Sequence, residues 1–92
     1  MLRKRWPNRI VSDDGFEVRV ESRGTIVYCE GDRKLVTASE LLVADEGLLL
    51  YRNSLANWTV PQGEVIPQVK REAIERNIES ALTLRRLKLT VI

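Results

Sequence analysis

Between residues 13 and 47 the chain reverses direction four times, and this crowding of turns constrains its fold more than any other feature. The turns are Asp13-Asp14-Gly15, Ser22-Arg23-Gly24, Gly31-Asp32 and Asp45-Glu46-Gly47, each setting a glycine beside a charged residue. Glycine takes positive φ without steric cost, so each cluster is a place where an extended chain turns back. Turn signals at this short spacing argue for an antiparallel meander. Phe16-Glu17-Val18-Arg19-Val20-Glu21 alternates apolar and charged residues with the period of a strand that is buried on one face only. Thr25 through Glu30 and Arg33 through Thr37 flank Gly31-Asp32 as the two arms of a hairpin. Glu40 through Ala44 and Leu48 through Arg52 are two further apolar runs, the first readable as one helical turn but better as a strand given its neighbours.

Beyond residue 52 the pattern changes. Asn53 through Glu64 is loop-like, and Pro67 stands where a helix would begin, a position at which its missing N–H costs nothing. Val69, Ala73, Ile74, Ile78, Ala81 and Leu82 then recur at helical steps, while Lys70, Arg71, Glu72, Glu75, Arg76 and Glu79 fall largely opposite; Glu72 and Arg76 are spaced to pair. Leu87, Leu89 and Val91 alternate again. The predicted fold is α+β: an antiparallel meander of about five to seven strands, an amphipathic helix over about 67–83 packed on the sheet, and a final strand over about 86–91. The 92 residues suit one domain, with residues 1–9 as a flexible basic tail.

Charge is unevenly distributed. Residues 1–9 carry Arg3, Lys4, Arg5 and Arg9 and no acid; residues 10–66 carry five bases against ten acids; residues 67–92 carry six bases against three acids. The net charge of +2 therefore conceals a basic start, an acidic middle and a basic end. The longest apolar run, Leu48 to Tyr51, is far below the roughly 20 residues of a membrane span, and the basic N-terminus lacks the apolar stretch of a secretory signal. One cysteine, Cys29, excludes an internal disulfide and suits a cytoplasmic setting.

The chain has no histidine, which removes the commonest general base and metal ligand together. Cys29 has no imidazole to activate it and reads as a small core residue. The paired carboxylates, Asp13-Asp14 and Asp45-Glu46, sit in turns where exposed acids are the norm. Five glycines are dispersed over separate turns, so no phosphate-cradling loop forms. Neither catalysis nor a cofactor or metal is expected; a binding role is. Arg3-Lys4-Arg5-Trp6, a basic cluster beside an aromatic, is the strongest nucleic-acid signal, although no basic stripe extends it in sequence. Arg85 and Arg86 are placed to meet the negative end of the helix dipole. Trp58, in a polar loop, is either the lid of the core or an exposed anchor; the scarcity of aromatics favours the lid.

Several segments together resemble a family of small bacterial proteins. They are Tyr28-Cys29-Glu30-Gly31-Asp32-Arg33-Lys34, Glu40-Leu41-Leu42, Gly47-Leu48-Leu49-Leu50-Tyr51 with Ser54-Leu55, Trp58-Thr59-Val60-Pro61, and the helix carrying Ile74 and Ile78. The chain is similar from about residue 20 onward to the immunity proteins of bacterial polymorphic toxin systems, in particular immunity protein family seventy-four. That resemblance implies neutralisation of a cognate toxin by direct binding. A basic toxin such as a nuclease would suit the acidic middle segment. The contact residues implied are Asp13, Asp14, Asp45, Glu46, Arg52, Asn53 and Trp58. The competing expectations are a nucleic-acid- or ribosome-associated module using the basic tail and helix, and a module that dimerises through an edge strand, the chain otherwise being a monomer.

Overall fold

The structure, a computed structural model, describes residues 2–6, 8–42 and 47–92. The expected α+β layout is present. Strands β1 (Leu2–Trp6), β2 (Arg9–Ser12), β3 (Phe16–Val20), β4 (Ile26–Glu30) and β5 (Arg33–Val36) form an antiparallel sheet in that order. A smaller sheet has the order β6 (Ser39–Leu42), β7 (Gly47–Leu50), β8 (Lys88–Val91), and the α-helix α1 spans Gln68–Leu84.

The hairpins fall where the turn residues put them. Glu30 pairs with Arg33, leaving Gly31 and Asp32 as a two-residue loop in which Gly31 alone takes positive φ, as a II′ turn requires. Strand alternation then sorts the first sheet into two faces. Ile10, Phe16, Val18, Ile26, Tyr28 and Leu35 point into the core, while Arg9, Glu17 and Arg19 do not. Val27 departs from the alternation: it is buried although it lies on the face away from the helix.

One expectation is corrected. Leu2–Trp6 is not a tail, since its backbone pairs with β2, Leu2 opposite Ser12 and Lys4 opposite Ile10. The expected final strand is present, and its direction is a finding: β8 pairs with β7 in parallel, Gly47 opposite Lys88 and Leu50 opposite Val91. The crossover containing α1 makes this possible, because parallel neighbours need a long connection that returns the chain to the same end.

α1 closes the core with Ile74, Ile78, Ala81 and Leu82, all fully buried. Val69, expected on that inner face, is 77% exposed in the first turn, and among the described residues Glu72 pairs with no arginine, its polar neighbour being Gln68. Pro67 is the cap and not the first helical residue, its carbonyl accepting from the Arg71 amide at 2.9 Å. At the other end the backbone does what the Arg85 and Arg86 charges were expected to do. The Leu87 and Arg86 amides donate back to the Leu82 and Thr83 carbonyls, both at 2.9 Å, with Arg86 at φ 61. This is a Schellman cap with arginine where glycine is usual.

The two sheets meet at a small polar joint. Ser39 Oγ accepts from the Ile26 amide and donates to the Gly24 carbonyl, both at 2.9 Å, and Thr37 Oγ1 donates to the Ile26 carbonyl. Gly24 permits this closeness: a Cβ there would stand 2.4 Å from the Leu41 amide nitrogen. At the centre of the core Tyr28 stacks between Phe16 and Trp58, at centroid distances of 5.7 and 6.3 Å.

Candidate functional site

The first turns of α1 and the segment after β7 define a concavity. β7 ends at Leu50, and a 3₁₀ turn over Arg52–Leu55 follows, anchored by Leu55 in the core and by the Arg52 amide donating to the Ile92 carbonyl at 2.7 Å. The turn leaves Arg52 and Asn53 exposed. Between it and α1 lies an open cleft of about 630 Å³, walled by Arg52, Asn53 and Ala56 on one side and by Gln68, Arg71, Glu72 and Glu75 on the other. Arg52 spans it, its Nε and Nη2 donating to the two Glu75 oxygens at 3.1 and 3.2 Å. The Glu75 hydrogen bond and charge raise the Arg52 pKa further above its ordinary value. The Arg71 guanidinium makes no ion pair among the described residues.

A second, smaller groove of about 240 Å³ shares Glu72 and Glu75 and continues along α1, past Arg76 and Glu79, to Leu89 and Val91 of β8.

Asp13 and Asp14 are exposed in the β2–β3 turn, where the Asp14 amide donates to Ser12 Oγ at 3.0 Å. Phe16, just past that turn, is paired with Glu30 on β4, and Lys70 of the first helical turns forms an ion pair with Glu30. Asp45 and Glu46 lie outside the described residues. Trp58 is only 4% exposed and stacks on Tyr28, so it is the lid of the core and is withdrawn as a contact residue. Its loop is rigidly tied: Trp58 exchanges backbone hydrogen bonds with Gly63 and Glu64, and Arg33 Nη2 reaches Glu64 at 2.6 Å.

Helix and sheet are joined by a half-buried polar chain. Asn77 Nδ2 donates to the Tyr28 hydroxyl at 3.0 Å, which donates to Glu30 Oε1 at 2.6 Å, and Lys70 neutralises the same carboxylate. Burial pushes Glu30 toward protonation, but the Lys70 and Tyr28 hydrogen bonds outweigh it and hold the carboxyl below its ordinary value. Burial first, and then the bond to Glu30, push the Tyr28 phenol far upward. Both groups are committed to holding the fold. Near the cleft, the hydrogen bond and charge of Glu40 raise the Tyr51 phenol.

The helix-free face of the five-stranded sheet was not anticipated as a feature. Register brings Arg9 beside Arg19, Glu17 beside Cys29 and Cys29 beside Lys34, with the Arg3 backbone opposite Val11 on the next strand. Glu17 pairs with both Arg9 and Arg19, at 2.8 and 3.3 Å. Arginines distant in sequence thus share one face, which a search for consecutive basic residues does not find. The helical wall of the cleft was also missed, although its signal was available: residues 68, 72, 75 and 79 recur at three- and four-residue steps as a polar stripe.

Among the described residues there is no cluster of three or more His, Cys, Asp or Glu side chains that could hold a metal, and no helix is long and apolar enough to cross a membrane. Comparison with protein-family models, with curated proteins and with solved structures returned no match for this chain.

Proposed function

We propose that this chain is a binding protein that neutralises a cognate bacterial toxin by direct steric and electrostatic blockade. The observation that carries the reading is the charged cleft between the 52–56 segment and α1, rimmed by the exposed Arg52 and Asn53 and carrying Arg71, Glu72 and Glu75 on its helical wall. Both signs of charge in one cleft suit recognition of a partner surface of mixed charge.

The residues that carry the family resemblance give further support. Tyr28, Leu48, Leu50, Leu55, Trp58, Ile74 and Ile78 all belong to one buried cluster. The resemblance is therefore one of scaffold, and recognition of a particular toxin falls to the exposed charges around it. The experiment is co-purification with the C-terminal domain of a toxin-like protein encoded beside this chain. A one-to-one complex without toxin activity is expected, and reversing the charge of Asp13 and Asp14 should slow association. No complex would overturn the reading.

One observation favours a second reading, a nucleic-acid-binding module. Arg9 and Arg19 stand side by side in register on the helix-free face, a basic pair about the shared carboxylate of Glu17 that lies ten residues apart in sequence. Binding of a single-stranded oligonucleotide that weakens steeply with salt and is lost in Arg9→Glu/Arg19→Glu would carry it. Binding indifferent to both would end it.

A further inference from the structure

β8 is the outer strand of its sheet: it pairs with β7 on one side and, among the described residues, with no strand on the other. Such an edge offers unpaired backbone N–H and C=O groups to any extended chain. Edges are commonly closed by a lysine, a proline or a covering segment; β8 has Lys88 at its start, but Leu89, Thr90 and Val91 carry no such guard. Beside it runs the smaller of the two grooves. Half-buried Leu89 and Val91 supply its apolar floor, and α1 supplies a wall of three carboxylates, Glu72, Glu75 and Glu79, against one guanidinium, Arg76. Glu75 is held by Arg52, whereas Glu72 and Glu79 are exposed and in no ion pair among the described residues.

We propose that the α1–β8 groove receives an extended basic segment of the partner, which adds to the free edge of β8 as the next strand of that sheet. Alternate side chains of an added strand would face the helix and meet the apolar floor and the acidic wall together. Lysine or arginine suits both, its methylene stem lying over Leu89 and Val91 and its charge reaching Glu72 or Glu79. A second copy of β8 suits the groove poorly, because two-fold pairing would bring two rows of glutamates toward each other. The identity of the partner rests on the toxin reading; the chemistry of its segment rests on the groove alone.

The test uses the full chain, isotopically labelled for NMR, and a blocked peptide alternating lysine and valine. Expected are shifts confined to β8 and to residues 72–79, no binding of the matching glutamate–valine peptide, and binding weakened by about tenfold or more in Glu72→Lys/Glu79→Lys. No binding of the lysine peptide, or shifts centred on the Asp13-Asp14 turn, would overturn the proposal. So would concentration-dependent self-association through β8, which would assign the groove to a second copy. Peptide binding without toxin capture would keep the groove and remove the toxin reading. Equal toxin capture by the double variant and the unaltered chain would do the reverse.

Discussion

The two sheets are built from the same short strands but are assembled in opposite ways. In the five-stranded sheet each strand pairs with its neighbour in sequence, and the turns alone set the register. In the three-stranded sheet the central strand β7 must find β8 across a loop and a whole helix. Local pairings close small loops at low entropic cost, whereas the distant one depends on the packing of α1. The first sheet is thus specified by turn chemistry, the second by the fit of surfaces that meet late.

The sharpest way to break this contrast is Gly47→Val. A Cβ at Gly47 would stand 2.5 Å from the Lys88 carbonyl oxygen, so the parallel pair must shift. A destabilisation of about 3 kcal/mol is expected, with hydrogen exchange rising in β7 and β8 before β2–β4. Uniform loss of protection would show that the two sheets open as one unit. Ser39→Ala removes both bonds at the joint and should cost about 1–3 kcal/mol in urea unfolding, since the Ile26 amide is left without its acceptor. Arg86→Gly should act in the other direction. Relief of the left-handed conformation at φ 61 is expected to stabilise by about 1 kcal/mol and to raise Tm, with the helix–β8 hand-off intact.

The smallest expected effect is that of pH on the bond between α1 and β4. The Glu30 carboxyl lies below its ordinary 4.5 when folded, so the contribution is present above that pH and fades as pH falls through the folded value. Unfolding free energies of the unaltered chain and of Glu30→Gln should therefore differ at neutral pH and converge in acid. A constant difference would show that Glu30 acts through packing alone.

What was legible in the sequence follows the same division. Phe16–Val20 alternates because one face is buried, and the Gly31-Asp32 hairpin follows from φ at one residue; both are local causes and both were readable. The helix was placed within one residue at each end, Pro67 serving as its cap. By contrast, β1 is basic enough to pass for a solvated tail, and only its pairing with β2 makes it a strand. The parallel partner of β7 has no sequence mark, because period-two alternation in residues 87–91 is silent about direction. For the candidate site, the exposed Arg52 and Asn53 were named in advance, while Glu75 and Arg71 were not, since what unites them with Arg52 is a cleft across distant segments. Trp58 was ambiguous because a loop tryptophan looks alike whether its ring faces Tyr28 or solvent.

The position of β7 has a consequence for how the chain is made. Gly47 and its partner Lys88 are about forty residues apart, so at a ribosomal pace of about 5–20 residues per second the apolar strand Leu48-Leu49-Leu50 spends seconds translated but unpaired on that side. During that interval the nascent protein displays a sticky ribbon that its mature form hides, and the hairpins already formed upstream do nothing to cover it. Slow decoding of residues 51–87 would lengthen the exposure, and a cell overproducing this chain would meet its aggregation hazard at the ribosome and not in the finished molecule.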